Sequence, residues 1–152
     1  MYSVYEEVKK NNLLDQYANG GKLDAFRHVF AMAYFSKYVS VKKLRKLGKA
    51  HEKGNFLNFK RGVLEEGELA DSTSSVMDLK NNELGFVLGK PFRNKNVEEL
   101  KQEVISVIRS GGALIINRSN NGHYLDCDNN LIEAEDLKGK WQNKKCLVPS
   151  NR

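Results

Sequence analysis

Proline and cysteine each occur only twice in the 152 residues, tryptophan once, and no unbroken apolar run exceeds Val29 to Phe35. That run falls far short of the roughly 20 residues a bilayer-spanning helix needs, so no transmembrane segment is expected. Met1-Tyr2-Ser3-Val4-Tyr5 lacks a basic stretch followed by an apolar one, so no signal peptide is readable and any export would be carried by something else. The two cysteines, Cys127 and Cys146, have no Cys/His partners at zinc-site spacing. Outside the cytosol they could close the tail with one disulfide; inside it they would be free thiols. No Gly-x-Ser-x-Gly elbow is present. Internal repeats, low-complexity tracts and a dividing linker are also missing, so residues 1–152 are expected to form a single domain.

What is present is ample apolar material and an excess of positive charge. Hydrophobic residues make up 40% of the chain, enough for one core. The net charge of +6 favours an anionic partner such as lipid head groups, cell-wall polymer or nucleic acid, although solubility alone also accounts for surplus lysine. The densest basic run, Lys42, Lys43, Arg45, Lys46 and Lys49, would spread around a helix rather than form a groove-reading stripe.

The spacing of apolar residues predicts a mainly α, compact domain. A short amphipathic helix is expected over Tyr2 to Asn11, with Val4 and Val8 on one side, before Asn19-Gly20-Gly21 breaks the chain. A long helix should run from Leu23 to about Tyr38, and a second from about Ser40 to Lys49 with Val41, Leu44 and Leu47/Gly48 inward. Gly54-Asn55 is expected to end that unit, leaving His51 and Glu52 at or just past a helix end. Residues 61–70 read as a weak helix with a solvated acidic face at Glu65, Glu66, Glu68 and Asp71. The next helix, about Ser74 to Leu88, is expected to bury Val76, Leu79, Leu84 and Val87 and to carry Asp78, Asn81 and Asn82 on another face. Asn96 should start a helix over Val97 to Arg109, and the Asn120-Asn121-Gly122 turn is compatible with a small β-hairpin near residues 113–126.

Three short segments concentrate the reactive side chains: Asp24-Ala25-Phe26-Arg27-His28, Ala50-His51-Glu52 and Met77-Asp78-Leu79-Lys80-Asn81-Asn82. Asp24 and His28 are four apart, as are Asp78 and Asn82, so each pair leaves one face of a helix. Consecutive asparagines are poor helix formers, and their presence asks for a binding role. Each segment also has a plainer explanation. Asp24 in a first turn favours the helix dipole, His51 near a helix end interacts with the C-terminus, and such pairs are common as solvated surface contacts.

In this order the three segments resemble the signatures of a bacterial domain family of unassigned function, over about Asp24 to Gly85. Members of that family resemble toxin or effector modules carried at the C-termini of larger secreted proteins. The resemblance implies delivery by a bacterial secretion system, action in the envelope of a target cell, and a cognate immunity protein as partner. It does not supply a reaction. The motif-bearing helical core would be about 23–89, with a C-terminal extension over about 91–152. Cys127 and Cys146 lie in that unmatched extension, which disfavours a cysteine nucleophile.

Chemistry follows from the constellation. Asp24, His28, His51, Asp78 and Asn82 form a mixed imidazole, carboxylate and amide set suited to a divalent cation. His28, Arg27, Asp24, His51 and Glu52 are the catalytic candidates, while Asn81, Asn82 and Arg27 are candidates for holding substrate. One histidine would serve as base or ligand, a carboxylate would orient it, and Arg27 would meet developing negative charge. The expectation is an antibacterial effector that hydrolyses an envelope lipid or another phosphoester. Peptidoglycan hydrolysis with Glu52 as general acid, nuclease activity and a non-enzymatic binding module are the alternatives; nucleic acid ranks behind lipid or cell wall as partner.

Overall fold

A computed structural model describes residues 2–64, 67–94 and 96–152. These fold into six helices and one two-stranded sheet, so the chain is mainly helical as its periodicity implies. In order they are α1 (Tyr2–Lys10), α2 (Lys22–Phe35), α3 (Val41–Lys60), α4 (Ser72–Gly89), α5 (Val97–Arg109), β1 (Leu114–Ile116), α6 (Ala134–Leu137) and β2 (Leu147–Pro149). Among the described residues no helix is long and apolar enough to cross a membrane.

The centre is α2. Its Leu23, Ala25, Phe26, Val29, Phe30 and Ala33 are all buried, against Val8 of α1 and Leu100, Val104 and Ile108 of α5. Its other side meets α4 at unusually short range, because Gly85 and Gly89 bring no side chain to the crossing. A Cβ at Gly85 would stand 2.5 Å from Val29 O, and one at Gly89 would stand 2.7 Å from Ala33 O. These pairings step the same way along both helices, so α2 and α4 run parallel, and the crossing fixes which residues face each other one to two turns upstream.

That contact decides the buried face of α4, and it is not the expected one. Val76 and Val87 are exposed, whereas Asp78, Asn81, Asn82, Gly85 and Gly89 are buried. A row of small and polar residues lets backbone approach backbone, which branched valines at the same positions would prevent. Asp71 starts the helix by accepting from Ser74 N, in a reciprocal capping box.

Two other boundaries differ from expectation. Helix α3 does not stop at Gly54 but continues to Lys60, so His51 and Glu52 lie in mid-helix. The glycine costs about 1 kcal/mol, and the extra turns place Phe56 and Phe59 against the Trp141 ring, with centroids 4.9 and 5.3 Å away. Residues 61–64 and 67–70 are turn and extended chain rather than helix, with Gly62 and Gly67 at φ of +69° and +86°. Of the acidic cluster, Glu65 and Glu66 lie outside the described residues; Glu68 accepts a hydrogen bond from the Tyr124 hydroxyl, and Asp71 pairs with Lys145 at 2.8 Å. Of Leu47 and Gly48, expected inward, Gly48 is buried and Leu47 is 62% exposed.

The C-terminal extension is tied to the helical core. The Asn120–Gly122 turn closes one antiparallel bridge, Arg118 with Tyr124, and β1 finds its longer partner in β2, where Ile115 faces Val148. The Cys127–Cys146 disulfide closes a loop of sequence separation 19 beside that sheet. β1 in turn is anchored on α4, since the Asn81 amide donates to Leu114 O at 2.9 Å and accepts from Leu114 N at 3.0 Å.

Candidate functional site

Where α2 crosses α4, the first and third motif segments meet. Asp24 and His28 leave one face of α2, and Asp78 and Asn82 leave the buried face of α4, each pair one turn apart. His28 Nε2 stands 3.2 Å from Asp78 Oδ1 and 3.6 Å from Asp24 Oδ1. One ligand atom from each of Asp24, His28 and Asp78 falls within 4.8 Å of the others, and all three residues are buried.

The imidazole is held from its other side. His28 Nδ1 lies 3.1 Å from Asn82 Oδ1, so with that oxygen accepting, the ring proton sits on Nδ1 and the Nε2 lone pair faces the carboxylates. Burial pushes the His28 pKa down, and although Asp24 and Asn82 favour the charged ring, Arg27 and His51 add to the burial and the ring is held neutral. Among the described residues His28 Nε2 has no hydrogen-bond partner. A neutral nitrogen lone pair converging with two carboxylate oxygens is an electrostatically poor arrangement alone and a good one around a cation.

Asp24 is fixed from outside its helix as well. Its Oδ2 accepts from Gly20 N at 2.8 Å, and Gly20 O accepts from Ile116 N at 2.8 Å, so β1 is linked to the carboxylate through one residue. Gly20 has φ +73°, and a Cβ there would meet Ile116 Cδ1 at 2.7 Å, which explains why glycine stands in this turn. Asp24 Oδ1 accepts from Arg27 Nη2 at 2.7 Å. Burial works against the Arg27 charge, but the Asp24 and Asp78 carboxylates outweigh it and raise its pKa.

Arg27, His28 and Asn82 also line a cavity of about 380 Å³ between α2 and α3, with Ala31, Met32, Leu47 and His51 completing its wall. Asp24 and Asp78 stand behind that wall, buried. His51 is exposed on the α3 side, with its Nε2 3.4 Å from the Asn55 amide nitrogen, and Glu52 turns inward, where Asn55 Nδ2 donates to Glu52 Oε2 at 3.4 Å. The structure therefore brings Asp24, His28 and Asp78 together as donors and sets Asn82 on the far ring nitrogen, a position that orients His28 rather than one shared with its Nε2. His51 faces the cavity from across it. Asn81 is 1% exposed, with both ends of its amide committed to β1.

Several contributors are glycines to which the sequence assigned no role at the site. Gly48 gives α3 room beside Asn82, whose Nδ2 would lie 3.0 Å from a Cβ at that position. Gly20, Gly85 and Gly89 position the carboxylates and the crossing, and the four-residue spacing of Gly85 and Gly89 within a helical stretch was the available cue.

A family model described as a Domain of unknown function (DUF6973) matches residues 4–112. That span contains all three motif segments and ends just before β1. No curated protein and no solved structure matches the chain.

Proposed function

From the premise that this chain belongs to the family described as a domain of unknown function (DUF6973), we propose that it is a hydrolase of phosphoesters acting as an antibacterial effector in the envelope of a target cell. The observation that carries this reading is the convergence of Asp24 Oδ1, His28 Nε2 and Asp78 Oδ1 behind Arg27 at the wall of an open cavity. A divalent cation held by these three donors would lower the pKa of a bound water and draw in a phosphoryl oxygen. Arg27 meets the charge that grows on the phosphoryl group. Water would add to phosphorus as the P–O bond to the leaving alcohol breaks, and His51, which lines the opposite wall, would take the water proton and return one to the leaving oxygen. The Cys127–Cys146 disulfide and the net charge of +6 support a protein that works outside the cytosol against an anionic target.

A second reading has its own observation. Asp78 Oδ1 lies within hydrogen-bond distance of His28 Nε2, so an inverted Asn82 amide, donating to Nδ1 of a ring protonated on Nε2, would close a buried polar network that fixes the crossing without any ligand. The protein would then be a binding module.

Expression of the intact chain and of His28→Ala in a bacterial host, once in the cytoplasm and once behind a periplasmic export signal, separates the two. The proposal expects only the exported intact chain to kill. Killing from the cytoplasm would shift the target to nucleic acid or nucleotides, and equal harm from His28→Ala would remove the catalytic reading.

A further inference from the structure

The cavity beside His28 changes character along its length. On α2, Arg27 and His28 are followed one turn later by Ala31 and Met32, so one helix face passes from charged to apolar. Across the gap, α3 supplies Leu47, which is 62% exposed. The polar end holds Arg27, His28 and His51; the apolar end holds three aliphatic side chains and no Phe, Tyr or Trp. At about 380 Å³ the cavity is within the roughly 300–1,000 Å³ of small-molecule sites, which likewise combine apolar walls with a few convergent polar groups.

On the other side of the Gly48 and Asn82 contact lies a second cavity of about 300 Å³, floored by Val76, Leu79 and Phe86 and rimmed by Lys49 and Lys80. Arg45 at that rim is held bidentately by Glu83, at 2.6 and 2.7 Å. Apolar floors beneath cationic rims, on a chain of net charge +6, are complementary to a molecule that is both anionic and oily. A nucleotide base fits the apolar end beside His28 poorly, because a base gains its affinity by stacking on an aromatic or guanidinium plane, and that end supplies only Ala31, Met32 and Leu47.

We propose that the substrate class is a lipid phosphate, an acyl or alkyl chain ester whose phosphate sits at Arg27 and His51 and whose chain lies along Ala31, Met32 and Leu47. This rests on the phosphoester reading for its anionic head and adds the chain and the residues that hold it. Leu47 and Met32 are then selectivity residues: they discriminate substrates by the hydrocarbon they carry, each buried methylene strengthening binding by a factor of about 4.

Binding of monododecyl phosphate below its critical micelle concentration, compared with monobutyl phosphate and with a neutral dodecyl glycoside, tests this by calorimetry on the intact chain. The expected result is a Kd for dodecyl phosphate at least about tenfold lower than for butyl phosphate, with the neutral glycoside weak. Leu47→Asp, at an exposed position, should erase the chain-length preference while the melting temperature stays at the parent value. Equal binding of butyl and dodecyl phosphate would overturn the chain site while leaving a phosphoester site in place. Absence of binding by either phosphate would overturn the inference together with the reading it rests on. Equal binding of the neutral glycoside would overturn the assignment of an anionic head.

Discussion

Asn82 Oδ1 lies 3.1 Å from His28 Nδ1, a contact between two helices and across 54 residues of sequence. It fixes which ring nitrogen faces Asp24 and Asp78, and so whether the three side chains form a ligand set at all. Asn82→Leu should therefore weaken cation binding about 10- to 100-fold, as loss of a ligand-orienting partner does, with the three donors still present. Calorimetric titration with Mn²⁺ and Zn²⁺ reads this directly; unchanged affinity would mean that Asn82 has no orienting role.

The α2/α4 crossing depends on two missing side chains. Gly85→Ala would put a Cβ 2.5 Å from the backbone oxygen of Val29, which cannot rotate away, so the helices must part. A loss of about 1–3 kcal/mol is expected in urea unfolding. Gly54→Ala, also inside a helix but with nothing within 4 Å of the added Cβ, should instead gain up to about 1 kcal/mol. The opposite signs of these two substitutions are the test, and two losses of equal size would contradict the packing described.

The disulfide stabilises the extension that supports the site. Cys146 O accepts from Asn117 N, and β1 passes the constraint on to Asn81 and, through Gly20, to Asp24. Replacing both Cys127 and Cys146 by Ser should cost about 3 kcal/mol, from the unfolded-chain entropy of a loop of this size. The melting temperature of the parent should fall equally under reductant, and reductant should leave the double variant unchanged. A parent indifferent to reductant would place the stability of this region elsewhere.

Tyr124 gives an alkaline signature. Burial and the hydrogen bond to Glu68 hold its hydroxyl well above the ordinary 10.0. The unfolded chain then loses this proton first, so between pH 10 and the folded value the native state binds more protons and stability falls as pH rises. Tyr124→Phe should flatten that fall, although it also removes the hydrogen bonds to Glu68 and Arg118. Denaturant midpoints between pH 9 and 11 measure it, and parallel slopes for parent and variant would count against the burial of this group.

Much of this architecture was legible in the sequence, for identifiable reasons. The helix over Val97 to Arg109 was bounded by a capping asparagine at one end and a double glycine at the other, and it forms over those residues. Helical spacing set Asp24 with His28 and Asp78 with Asn82 on one face each, and the fold brings these two pairs together, whereas the candidate Glu52 turns to Asn55. What misled was the assumption that Val76 and Val87 share the buried face of α4 with Leu84; there the polar motif is the core face, because two glycines admit another backbone. The length of α3 was illegible from Gly54 alone, since the aromatic contacts that extend it come from Trp141, remote in sequence. The partner of β1 lay beyond local reading for the same reason: turn chemistry reports short hairpins, whereas β2 is brought in by the extension and its disulfide.

The proposed activity requires that Asp24, His28 and Asp78 hold a divalent cation. The direct measurement is calorimetric titration of Mn²⁺ and Zn²⁺ into the intact chain, His28→Ala and Asp78→Asn, with circular dichroism of each variant recorded alongside. One cation per chain, bound by the parent and lost in both variants whose helical spectra are unchanged, is the predicted result. A parent that binds neither ion, or variants that bind as the parent does, would contradict it and leave the three residues as a buried network between two helices.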